Sequence, residues 1–342
     1  MRAVRAAIAD HGPITFAEYM ELALYGPGGY YERAPVGSSG DFVTSPHVHP
    51  VFGEFLATAV RELFGLLERP DPFEIVDVGA GDGTLARQLI EGMHDISMRY
   101  TALEVSTAGR TELATVPGLR VADELEGEPH VVIAHELLDN LPFRVLRDGR
   151  ELRVGSDGSR LVEVYTEPDN DLRAFADGTG EAIVPIGALG FIDRVATVVR
   201  RGYVVCIDYG GVGTSGGEVH GYREHRVIED VLASPGETDI TVGVDFAAIA
   251  HHAERAGLNA FPTSTQHDVL MRLGFEGWTR DQLARQRYLL DARDGVSAVG
   301  LWSGRSRATL LADPAALGRM RWLVLASPEL PAPSWLSDDG RS

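Results

Sequence analysis

The chain has 342 residues, 44% apolar and 24% charged, with 31 basic against 50 acidic side chains and a formal net charge of -19. Such a length holds one large domain or a core with an inserted lobe. The charge disfavours non-specific binding to nucleic acid or anionic membranes and suits a basic protein partner. The single cysteine, Cys206, excludes an intrachain disulfide and a thiolate metal cluster.

In chain order, residues 3–25 predict two short helices broken by HGP at 11–13, with Thr15 and Glu18 spaced as a capping box. Residues 25–46, YGPGGYYERAPVGSSGDFVTSP, read as an ordered loop, because three tyrosines are too many for an inert linker. Residues 49–67 predict an amphipathic helix whose apolar face includes Phe52, Phe55, Leu56, Val60 and Leu63. Five strands follow at 75–78, near 98–104, at 119–122, 131–134 and 203–207, separated by helical patterns. That alternation predicts a mostly parallel sheet, with its ligand at the carboxyl ends of the strands. Residues 143–177 read as inserted antiparallel strands with DG turns, 211–245 as a second irregular insertion and 246–257 as a helix. The segments WSGRSRATLLA and RMRWLVLAS read as closing strands, and the tail from Pro328 as frayed. The expected organisation is an N-terminal cap (1–69), a Rossmann-like core (70–326) and a flexible tail (327–342). The opening residues lack a secretory pattern and no stretch reaches about 18 apolar residues, so a cytoplasmic protein without a membrane span is expected.

The strongest local signal is DVGAGDGT at 77–84, where Gly79, Gly81 and Gly83 alternate between a strand and a helix. Glycine there permits a tight turn and close approach of a ligand to the backbone. The spacing is not the GxGxxG of pyrophosphate dinucleotides. Asp77 would repel phosphate and suits an amine-bearing cation such as S-adenosylmethionine (SAM). Glu104, at the end of the next strand, is placed to accept ribose hydroxyls. Thr84 is a candidate cap or ligand donor, and Asp123 a candidate contact to an adenine amino group.

HELLDNLP at 135–142 follows the fourth strand. Glu136 and Asp139 would offer paired acceptors to a cationic nitrogen nucleophile; a guanidinium, a planar fork of donors, calls for such a pair. Asp208, at the end of the fifth strand, is a third acid for the same pocket. In HGYREHR, 220–226, His225 is a candidate proton acceptor, with Asp239 and Asp245 as a substrate wall. His47 and His49 have no further ligands at useful spacing, so no metal is assigned. Each carries a plainer reading: Asp139 and Asn140 as a turn cap, Asp208 as an anchor for its own loop, Cys206 as core.

Taken together, the motifs ITFAEYMELALYGPGGYY (14–31), GDFVTSPHVHPVFGE (40–54), VDVGAGDGTLARQLI (76–90), HELLDNLP, IDYG (207–210), PGETDIT (235–241) and VDF (244–246) make the chain resemble the MidA-like SAM-dependent methyltransferases, related to a mitochondrial complex I assembly factor. The resemblance spans roughly residues 10–326. It implies a Rossmann-like class I methyltransferase fold, SAM held by Asp77, Gly79, Gly81 and Glu104, and a protein arginine as acceptor beside Glu136 and Asp139. It also implies that the segment with Gly40, Asp41, Phe42 and Thr44 covers the substrate. This chain has His135 where the family has asparagine, Asn140 for alanine and Gly243 for a histidine. Two other readings stand beside the protein arginine methyltransferase: a small-molecule methyltransferase, and a SAM-binding scaffold without catalysis. A homodimer is compatible with the sequence.

Overall fold

The computed structural model describes residues 2–33, 44–170, 172–175, 180–213, 219–223 and 226–336. In chain order its main elements are α1 (Arg2–His11), β1 (Ile14–Thr15), α2 (Phe16–Met20), α3 (Val51–Leu66), β2 (Phe73–Val78), α4 (Thr84–Gly92), β3 (Met98–Leu103), α5 (Thr107–Leu113), β4 (Leu119–Ala122) and β5 (Val131–His135). Then come β6 (Arg144–Arg147), β7 (Arg150–Ser156), β8 (Leu161–Thr166), β9 (Glu181–Val184), α6 (Ile186–Val198), β10 (Tyr203–Asp208), β11 (His220–Arg223), β12 (Arg226–Ile228) and β13 (Asp239–Thr241). The chain closes with α7 (Phe246–Arg255), α8 (Gln266–Arg272), α9 (Phe275–Asp291), α10 (Gly295–Ala312) and β14 (Arg321–Ala326).

The central sheet runs β14-β10-β5-β2-β3-β4. All neighbours are parallel except β14, which is antiparallel to β10. From β2 the chain winds outward through β3 and β4, then returns to the other side of β2 with β5. The strand order therefore reverses between β2 and β5, and a crevice opens at their carboxyl ends. Strands β5 and β10 are buried at every position, as a sheet covered on both faces requires. On one face lie α3, α4 and α8; on the other lie α6 and α7.

The expected boundary at residue 69 does not separate two bodies. Helix α3 belongs to the central core with Phe73, Ile75 and Val205. The first 25 residues instead share a second core with the insertion: Ile14, Phe16 and Tyr19 pack with Phe143, Val145 and Leu152. Strand β1 adds to β7, so cap and insertion form one antiparallel sheet. Its entry is set by the predicted capping box: the Glu18 N–H donates to Thr15 Oγ1 at 3.1 Å and the Thr15 N–H to Glu18 Oε2 at 2.7 Å.

Two expectations are corrected. WSGRSRATLLA is part of helix α10, not a strand. Ala298, Leu311 and Ala312 reach the interior at helical spacing, and Asp294 caps the start by accepting from the Ser297 N–H at 3.1 Å. Nor does the chain fray at Pro328. Leu330, Trp335 and Leu336 are buried in the central core, and Trp335 stands edge-on to Trp322 with centroids 5.7 Å apart. The Tyr203 hydroxyl donates to the Pro331 carbonyl at 2.9 Å. Trp335→Ala is expected to destabilise the fold by about 3–5 kcal/mol, the usual cost of emptying a buried aromatic site. A lower midpoint in denaturant would show it, whereas an unchanged midpoint would return the segment to a dispensable tail.

Among the described residues no helix is long and apolar enough to cross a membrane.

Candidate active site

The crevice between β2 and β5 opens into a cleft of 1110 Å³ lined by both halves of the molecule. Its first half follows β2. Gly79, Gly81 and Gly83 all have left-handed φ (74°, 57° and 76°), which lets the chain turn sharply three times within five residues. A Cβ at Gly79 would stand 3.0 Å from Leu137 Cδ1. The turn hangs on β3, because the Gly79 and Ala80 N–H groups donate to the Leu103 carbonyl at 2.8 and 3.1 Å. Glu104 closes it from the neighbouring strand, accepting from the Gly81 N–H at 2.8 Å and the Ser106 N–H at 2.7 Å. Asp77 lies beneath the turn and is 2% exposed. Burial pushes its carboxyl up to about 7 against the Tyr100 hydroxyl, which donates to it at 2.9 Å; the charge of Glu104 raises it further.

The second half follows β5. Glu136 leaves the strand with φ 51°, a left-handed conformation that a side chain tolerates poorly. Two anchors hold it: its own N–H donates to the Ile207 carbonyl at 2.8 Å, and Asp208 grips the next three residues. Asp208 Oδ2 accepts from the N–H groups of Leu137, Leu138 and Asp139 at 3.1, 2.8 and 3.3 Å. The loop therefore thrusts Glu136 and Asp139 into the cleft. Burial, then the charge of Asp208, raises Glu136 to about 8. Burial and the charges of Asp208, Asp239 and Glu136 hold Asp139 well above the usual carboxylate range. Asp139 Oδ1 is buried and accepts no hydrogen bond. His135 Nε2 lies 3.3 Å from Glu136 Oε1, without the alignment of a hydrogen bond, and burial lowers the imidazole to about 3. Burial thus disfavours a charged ring beside the two carboxyls.

The N-terminal cap supplies the outer wall. Tyr25 and Tyr31 stack with centroids 5.4 Å apart and planes 16° apart. Tyr25 donates its hydroxyl to the Asn140 carbonyl at 3.0 Å, and Tyr31 to Asp239 Oδ1 at 3.1 Å. The Asn140 amide also donates to Asp239 at 3.1 Å. From the other side, Ser45 donates its N–H to Glu136 Oε1 at 3.4 Å, and His47 Nε2 lies 3.0 Å from Asp82 Oδ2 in the glycine turn. One short segment thus touches both halves of the cleft.

The structure brings Asp77, Gly79, Gly81, Glu104, Asp123, Glu136, Asp139 and Thr44 into this one cleft. Asp123 stands at its rim with its side chain 83% exposed, paired to Arg110. Four candidates do not line it. Gly83 faces Leu113, whose side chain a Cβ would meet at 2.9 Å, so it serves the packing of α4 and not the ligand. Thr84 is the first residue of that helix and donates its N–H to Asp82 Oδ1 at 2.9 Å; the N-cap position is Gly83, not Thr84. Asp208, expected to line the pocket, is fully buried behind it as the anchor of the 136–139 loop. Asp245, offered as substrate wall, caps α7. Gly40, Asp41, Phe42 and His225 lie outside the described residues. The sequence reading missed Arg319, which lines the cleft with its guanidinium 5.9 Å from the Tyr209 ring centroid. It also passed over His47, whose partner Asp82 is 35 residues away. No local spacing marks either one.

The first half fits SAM: a glycine turn open to a ligand, the Glu104 carboxylate at the end of the neighbouring strand and a buried acid below. Comparison with known proteins agrees. Residues 55–263 match a protein family described as "Putative S-adenosyl-L-methionine-dependent methyltransferase". The chain is similar to the mitochondrial protein arginine methyltransferase NDUFAF7 homolog of Drosophila melanogaster, 27% identical over 94% of this chain and 83% of that one. It is similar also to NDUFAF7 of Homo sapiens, 27% identical over 81% and 73%. A methyl transferase fold from Burkholderia thailandensis, solved with S-adenosylhomocysteine, superposes with a TM-score of 0.86 at 24% identity, covering 100% of this chain and 95% of that one. The parallel sheet with its antiparallel last strand, the glycine turn over Asp77 and the family match over 55–263 lead to one conclusion: this chain belongs to that family of SAM-dependent methyltransferases.

Proposed function

We propose that the methyl acceptor is an arginine guanidinium of a protein. The observation that carries this reading is the buried, unpartnered Oδ1 of Asp139 beside Glu136, in a pocket whose other nearby acids raise both carboxyls. Like charges crowded in a dry site are costly unless a cation joins them. A guanidinium brings that charge and a planar set of donors for two carboxylates. The arginine methyltransferases named above support the same acceptor.

Bound SAM supplies an electrophilic methyl group on a sulfonium; its loss leaves a neutral thioether. The protein's part is to fix the acceptor and manage one proton. Glu136 and Asp139 hold the guanidinium so that one nitrogen faces the cofactor half. As that nitrogen gains the methyl group it sheds a proton, and a carboxyl that already favours its protonated form is a suitable acceptor. The tyrosine wall excludes water from the arginine stem.

The test is mass spectrometry of arginine-containing peptides, lysine-containing controls and free arginine after incubation with enzyme and SAM. Peptide arginine gaining one or more methyl groups is the expected result. Methylation of lysine or of free small molecules alone would overturn the assignment.

A further inference from the structure

Helices α9 and α10 form an antiparallel hairpin whose outer side is exposed among the described residues. Along that side of α10 stand Val296, Val299, Ser303, Ser306 and Leu310. Their spacing is 3, 4, 3, 4, the a/d repeat of a helix that pairs with another helix. Val296 is 88% exposed, Val299 62% and Leu310 45%. The opposite face is already used, with Ala298, Ala308 and Leu311 fully buried against the protein. Helix α10 is thus apolar or small on both sides, the pattern of a helix covered all round.

We infer that α10 pairs antiparallel with α10 of a second copy, making a two-fold homodimer. Two observations choose a second copy as the occupant. The stripe's central part is complementary to its own reverse: antiparallel pairing sets Val299 of one copy against Leu310 of the other, and Ser303 against Ser306, so each of these layers matches an a position with a d position, and Val296 falls at the partner helix's end. Bulky residues then fill both ends, and the serines let the backbones approach at the centre. The same register puts the exposed Trp302 beside Arg307 of the other copy, a cation against an aromatic face. Charge is the second observation. Two copies at -19 each repel, so association needs a face without acids. Residues 295–312 contain none, and Arg305 and Arg307 are their only charges. A contact of this kind is isologous and closes on itself.

The decisive measurement is the mass of the full-length protein in solution by light scattering or sedimentation equilibrium. Twice the chain mass is expected. Val299→Glu should weaken self-association at least ~100-fold by burying two unpaired charges, while helix content and SAM binding stay unchanged, since Val299 is remote from the cleft. A second test does not depend on a destabilising change. A chain carrying both Ser303→Cys and Ser306→Cys, oxidised with glutathione disulfide, should form a covalent dimer; Cys206 is buried and does not compete. A wild-type monomer at all concentrations, or cysteines that fail to cross-link in a dimer, would overturn the pairing. So would a dimer indifferent to Val299→Glu.

Discussion

Asp139→Asn is expected to lower methyl transfer to a peptide arginine about 10²–10³-fold, the range for removing one preorganised electrostatic partner, with SAM affinity unchanged. The substitution is nearly isosteric, but it replaces an unpartnered carboxylate oxygen with an amide, whose NH2 group repels the guanidinium. Calorimetry with SAM and single-turnover kinetics with peptide separate the two halves of the cleft. Full activity in the variant would remove Asp139 from the acceptor site.

The pH dependence follows from the same crowding. Burial and neighbouring charge raise Glu136 to about 8 and hold Asp139 above its ordinary range, so without a cation both carboxyls keep their protons to higher pH than free carboxyls do. A guanidinium binds the ionised form, and its arrival must expel protons. Acceptor binding should therefore strengthen as pH rises towards 8. Calorimetry near neutrality should show heats that vary with the ionisation enthalpy of the buffer. The sign for stability is opposite. A carboxyl raised by folding binds its proton more tightly folded than unfolded, so it favours the fold at low pH, and that contribution is lost as pH climbs through its folded value.

Glu104→Ala should weaken SAM binding about 30-fold or more. The carboxylate performs two tasks at once. It accepts from the Gly81 and Ser106 N–H groups, which shapes the turn, and we propose that it also receives the ribose hydroxyls. Losing one charge-assisted hydrogen bond costs roughly 1.5–3 kcal/mol, and the freed turn adds the cost of re-ordering three left-handed glycines. Glu104→Gln keeps a single acceptor and should fall between. Wild-type affinity in the alanine variant, measured by calorimetry, would place the ribose elsewhere.

The cofactor half was the most legible part of the chain, and the reason is physical. It is built from one continuous run, residues 77–104, in which strand, turn and strand end dictate their own residue types. Glu136 and Asp139 were legible from the same logic, as acids just beyond a buried strand. Asp208 looked identical by position, yet four backbone N–H groups had claimed it. Nothing in the local sequence distinguishes an acid that faces a ligand from one that faces the chain. The tyrosine wall was visible as a composition but not as a place, because Tyr25 and Tyr31 find their partners at Asn140 and Asp239. Helix α10 was misread because its residues are apolar on two faces, which blurs the period that marks a helix.

The first 25 residues gain their partners late. Their apolar side chains pack with Phe143 and Val154, and the Tyr19 hydroxyl donates to the Val231 carbonyl at 2.6 Å. On the ribosome this segment emerges before its partners and waits while about 200 further residues are made, some 10–40 s at ordinary synthesis rates. Through that interval Phe16, Tyr19, Met20 and Leu24, all buried in the finished protein, have nothing to cover them. The outer wall of the cleft is thus synthesised long before the residues that hold it in place. Until the second insertion has been translated, this apolar segment stays open to wrong contacts.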